Sequence, residues 1–182
     1  MGYTSGCQAG LRSCWLECRV DLLANGTEPW RFEMPILWRD EYAVGIAALD
    51  DQHKQLVFII NDIEMVSHLN PSRPGYKASV DAVFERIFNY AALHFATEEA
   101  LMDVFEYPGA SPHKRTHAGF TDLVRSKKAL VDALLDSGSP LKAQDELAGI
   151  HAYLQKWLVE HMVGSDKEYV EHMFERIARS KS

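Results

Sequence analysis

Histidines and carboxylates interrupt the apolar stripes of this 182-residue chain at helical spacing. His94 and Glu98 are four residues apart, as are His113 and His117, so each pair shares one helix face. The run Ile87, Ala91, His94 advances by four and then three residues, which puts His94 on a core face. His113 and His117 continue into Phe120 and Val124, and His53 precedes Leu56 and Val57 by three and four. Leu147, Ile150, Leu154, Trp157 and His161 advance by three, four, three and four, and Asp166 follows five residues later. Each spacing alone is weak, since a helical His pair is usually a surface pair or a lone zinc site. Burying all seven groups without partners would cost several kcal/mol each. A bound cation removes that cost, because neutral imidazole and ionised carboxylate are its ligands.

Five histidines and two carboxylates exceed the four ligands of a tetrahedral zinc. They suit two six-coordinate ions sharing bridging carboxylates, and nitrogen and oxygen donors without thiolate favour iron or manganese. The carboxylate-rich di-iron bundles use Glu-x-x-His, a motif absent from this chain. The expected centre is therefore histidine-rich.

Four long helical patterns position these groups. The first opens at Asp50 or Asp51 as N-cap and runs to about Leu69, before the break Asn70-Pro71-Ser72-Arg73-Pro74-Gly75. The second spans about Tyr76 to Phe105, and Tyr107-Pro108-Gly109 breaks it. The third starts near Ser111-Pro112 and runs to about Leu135. The fourth covers about Leu141 to Met162 and is closed by Gly164, and a short last helix covers Lys167 to Ala178. The expected fold is all-α: an antiparallel up-down-up-down four-helix bundle with an N-terminal arm and a short C-terminal helix. In that topology the start of helix one, the end of helix two, the start of helix three and the end of helix four lie at one end. The seven groups therefore converge. His68, His151 and His172 fall elsewhere and are read as structural or solvated.

Residues 1–33 show no sustained period and are broken by Gly2, Gly6, Gly10, Gly26 and Pro29. They are expected to be a poorly ordered extension, with Met34 as a natural start and 34–182 as the domain. Cys7, Cys14 and Cys18 match no metal motif, and the Asn25-Gly26-Thr27 sequon carries little weight without a secretory signal. With 47% hydrophobic and 25% charged residues, composition is that of a globular protein. A net charge of -7 argues against nucleic acid or an anionic membrane as partner. No apolar run is long enough to insert in a membrane. A cytoplasmic monomer is expected.

Here the residues resemble a known family, the hemerythrins, and specifically the single-domain bacterial hemerythrins. The similarity runs from about Leu37 to Met173. It rests on Asp50-Asp51-Gln52-His53, His94-Phe95-Ala96-Thr97-Glu98-Glu99, His113-Lys114-Arg115-Thr116-His117, Trp157-Leu158-Val159-Glu160-His161 and Asp166-Lys167-Glu168-Tyr169. All seven ligand positions of the family pattern are filled, whereas residues 1–33 have no counterpart. The resemblance implies reversible O2 binding at a non-haem di-iron centre with an oxo or hydroxo bridge. By the same resemblance, His113, His117 and His161 hold one iron. His53 and His94 hold the other, which keeps an open position, and Glu98 and Asp166 bridge the two. Phe95, Trp157, Leu158 and Met162 then form an apolar O2 pocket around the open iron and slow autoxidation, or simply pack the bundle. The implied function is oxygen storage or delivery to an oxygen-requiring enzyme. The alternative is O2, nitric oxide or redox sensing through the same site. No residue beyond the ligand set offers evident acid–base chemistry, so an oxygen-binding protein is expected rather than an enzyme.

Overall fold

The computed structural model describes residues 35–181. The expected 1–33 extension, its cysteines and Met34 lie outside the described residues. Four helices carry the apolar stripes: α1 (Ala47–Ser67), α2 (Tyr76–Val104), α3 (Ala110–Asp136) and α4 (Pro140–Glu160). A single π-helical turn, His161–Asp166, joins α4 to a last helix, α5 (Lys167–Ser180). There is no strand among the described residues.

α1 packs against α2 and α4, and α3 packs against the same two helices, which closes the four into a ring. Short connections make each neighbour antiparallel. The turn after α3 shows why it reverses sharply. Gly138 sits at φ 72°, where a side chain would be strained, and Ser139 N–H bonds the Leu134 carbonyl at 2.8 Å. That is the αL closure of a helix C-terminus. The ring encloses Ile60, Ile63, Phe84, Val131, Leu147 and Leu154, all essentially inaccessible. A second, smaller apolar cluster of Val44, Leu49, Met102, Tyr169 and Val170 forms where α5 and the N-terminal arm meet the bundle. No described helix is long and apolar enough to cross a membrane.

Two helix ends differ from the sequence expectation. α1 begins at Ala47, three residues before Asp50. The Asp50 carboxylate reaches back from inside the helix to accept the Val44 N–H at 2.7 Å and the Gly45 N–H at 3.3 Å. It caps the arm rather than starting the helix. Gly164 does not close helix four either. It lies inside the π turn, and the helix runs on into α5. The arm itself is not simply extended. Asp40–Tyr42 form a 3-10 turn, and Ile36 is tied to the Asn61 side chain by bonds of 3.0 and 2.9 Å.

Candidate metal centre

Each helix delivers its polar residues to the same end. His53 lies in the second turn of α1, His94 and Glu98 late in α2, His113 and His117 early in α3, and His161 directly after α4. Asp166 ends the π turn. In an α-helix a residue five positions on is rotated by about 140° and faces away. The wider π turn brings Asp166 back to the face of His161, and such turns are frequent at functional sites. Their closest atoms, His161 Nε2 and Asp166 Oδ1, are 3.1 Å apart.

All seven side chains are buried, at 0–5% exposure. Two groups emerge, each able to hold a metal ion: Glu98, His113, His117 and His161, and His53, His94, Glu98 and Asp166. Glu98 belongs to both. Its Oε1 lies 3.5 Å from His94 Nε2, and its Oε2 lies 3.1, 3.6 and 3.8 Å from His117, His113 and His161. Asp166 spans the groups in the same way, with Oδ2 3.2 Å from His53 and Oδ1 3.4 Å from His113.

The protein alone leaves this arrangement unsatisfied. His117 Nε2 lies 3.0 Å from His113 Nε2 and 3.1 Å from His161 Nε2, so three imidazole nitrogens crowd together. Both His53 nitrogens, Glu98 Oε2 and both Asp166 oxygens are buried with no hydrogen-bond partner among the described residues. Buried polar atoms are normally paired, and a cation within each group would pair these. The donor set, imidazole nitrogen and carboxylate oxygen without sulfur, fits iron.

Sequence reasoning did not assign the groups that orient these rings. His117 donates through Nδ1 to Glu99 Oε1 at 3.0 Å, and His94 through Nδ1 to Gln52 Oε1 at 2.8 Å. Each bond puts the ring proton on Nδ1 and leaves Nε2 free to ligate. The Tyr169 hydroxyl donates to Glu98 Oε1 at 3.0 Å. Phe95 stacks on His117 with ring centroids 3.9 Å apart, and Trp157 stacks on His161 at 4.2 Å. The Phe95 ring is 5.8 Å from His94. Leu158 and Met162 are fully buried in the main core. Among the other histidines, His151 is buried 3.7 Å from Glu64, and His172 bonds the Phe105 carbonyl at 3.0 Å.

Burial lowers three of the metal-free imidazoles: His53 below its ordinary value, His94 to about 3 and His161 to about 4. Burial pushes both carboxyls up. Around Glu98 the histidines outweigh it and hold the group well below the usual range. Asp166, facing Glu98, stays well above it.

This sets a pH dependence for the metal-free chain. Unfolded histidines take up protons near pH 6.5, whereas His53, His94 and His161 resist when folded, so their contribution is complete above that pH and falls as pH drops. Each such group costs about 1.4 kcal/mol per pH unit in that window. Asp166 acts oppositely. Its contribution is present below the unfolded carboxylate value and lost as pH rises through the folded one, a cost at neutral pH that a cation would lift. We expect the melting temperature of metal-free protein to fall steadily from pH 6.5 to pH 4.5. A flat profile would contradict neutral, buried rings.

Residues 44–173 match the family model described as "Hemerythrin HHE cation binding domain". The chain is 32% identical over 151 residues to Bacteriohemerythrin of Pseudomonas aeruginosa (strain LESB58), covering 81% of this chain and 89% of that one. It is 30% identical over 139 residues to Bacteriohemerythrin of Stenotrophomonas maltophilia (strain R551-3), covering 76% and 81%. Against Myohemerythrin of Sipunculus nudus it is 28% identical over 135 residues, covering 74% and 91%.

Proposed function

Because the chain belongs to the hemerythrin family, whose members bind oxygen at a pair of iron ions, we propose that it binds O2 reversibly for storage or delivery. The observation that carries this reading is the pair of buried ligand groups meeting at Glu98. His113, His117 and His161 would hold one iron, His53 and His94 the other, with Glu98 and Asp166 shared between them. Three imidazoles on one side against two on the other leave the second iron the less saturated. When bound, such a pair supplies two reducing electrons and a place for O2.

The chain's own residues supply the rest. Glu99 and Gln52 fix the tautomers of His117 and His94. Tyr169 holds Glu98 Oε1 and carries the small apolar cluster over the end of the site. Phe95, Trp157, Leu158 and Met162 back the site with apolar surface, so bulk water reaches it poorly. That exclusion supports reversible binding over irreversible oxidation. On the same reading the protein acts in the cytoplasm as a monomer and passes O2 to an oxygen-requiring enzyme.

Iron-loaded protein cycled between air-saturated and O2-free buffer tests the function. We expect close to one O2 taken up and released per chain, repeatedly. Uptake once, without release, would replace a carrier with an oxidised redox or sensing protein.

Glu99 gives a separate prediction. Its side chain is 34% exposed and contacts the site through His117. Losing a group that orients a ligand typically weakens metal binding about 10–100-fold. Glu99→Ala should therefore lose one iron to a competing chelator at correspondingly lower chelator concentration, with helical content unchanged. Equal retention would show that the His117 tautomer needs no such partner.

A further inference from the structure

Tyr90 stands on the α2 stripe of His94 and Glu98, four and eight residues before them, so the three form one column facing the bundle interior. Its ring stacks on the His94 imidazole with centroids 5.0 Å apart and planes at 25°. The residue is buried, and its hydroxyl has no hydrogen-bond partner among the described residues. A buried hydroxyl left without an acceptor is costly, and tyrosines placed in cores normally find one.

The surroundings indicate what the hydroxyl is for. Tyr169 spends its own on Glu98. Tyr76 is also buried without a partner, but it opens α2 fourteen residues before Tyr90, about 21 Å along the helix, so it is remote from the site. Tyr90 instead lies against His94, whose ring also meets the His53 imidazole edge-on at 4.7 Å. Burial holds its phenol well above the ordinary tyrosine range, and the Glu98 and Asp166 carboxylates push it the same way. The group is therefore an O–H donor within the field of both carboxylates. It sits on the side with two imidazoles, the one that the proposed reading leaves the less saturated.

We propose that the Tyr90 hydroxyl is a specificity-determining donor for the small molecule taken up beside His53 and His94. It favours small anions, which accept hydrogen bonds strongly, over neutral occupants that accept them weakly. The inference rests on the two-iron reading of the site.

The test is Tyr90→Phe in the full chain, which removes one oxygen and keeps the stacked ring. Iron per chain is measured first, then azide affinity of the oxidised, iron-loaded protein by optical titration. Thermal unfolding of the metal-free form is followed beside them. We expect two irons, an unchanged or higher melting temperature, and azide binding weaker by about tenfold, the worth of one hydrogen bond to a charged acceptor. A parent that binds azide and a variant that binds it within twofold as well would overturn the Tyr90 assignment and leave the two-iron reading intact. A variant that melts lower would reveal a partner within the fold and overturn it too. A parent that holds no iron pair would overturn both.

Discussion

Glu98→Ala is expected to yield a chain that keeps at most one iron after dialysis against a weak chelator, where the parent keeps two. Glu98 is the residue common to both ligand groups. One oxygen faces His94 and the other the three imidazoles of His113, His117 and His161. On the proposed reading its removal would take an anionic ligand from both ions at once. Asp166 would then be the sole carboxylate against two cations in a site shut off from water, where uncompensated charge is expensive. No neighbour can replace it. Glu99 points at the outer nitrogen of His117, and Tyr169 can only lose its acceptor. Metal analysis by mass spectrometry reads the result. Two irons retained by the variant would show that Glu98 is packing rather than a shared ligand.

Phe95→Ala is expected to cost about 3–5 kcal/mol of stability, the range for removing a buried aromatic ring, and to speed autoxidation several-fold. The ring is 6% exposed and wedged among His117, Phe120 and Trp157. On its outer side lies a surface groove of about 510 Å³, lined also by Phe88, Ala91, Ala92, Ala96 and Glu99. On its inner side, 3.9 Å away, is the His117 imidazole. The small alanines leave Phe95 as the wall between groove and site, so truncation opens a route for water and anions. Leu93→Ala is the control: two residues earlier on the same helix and 62% exposed, it should shift stability by no more than about 0.5 kcal/mol. A Phe95→Ala chain with parental stability and autoxidation rate would remove the wall from the account.

The spacing of apolar residues made the bundle and most of the site readable. The pairs His94/Glu98 and His113/His117 sit on stripes whose period is fixed by the helix itself, and antiparallel topology then brings the pairs together. Asp166 was readable by resemblance but not by periodicity, because a five-residue step breaks α-helical phase. Gly164 read as a stop for the same reason: local propensity favours an end there, whereas the π turn that aligns His161 with Asp166 continues the helix. Gln52, Glu99 and Tyr169 carry no periodic signal of function. Gln52 and Tyr169 act across 42 and 71 residues of sequence, Glu99 across 18, and such partnerships exist only once the helices are packed. Asp50 looked like a cap and is one, but for the arm before the helix.

The most direct test of the account is the metal content of the full chain after anaerobic reconstitution with ferrous iron and removal of loosely held metal. The seven buried donors in two groups predict two irons per chain. A single iron per chain, or no tightly held metal, would contradict the two-iron centre.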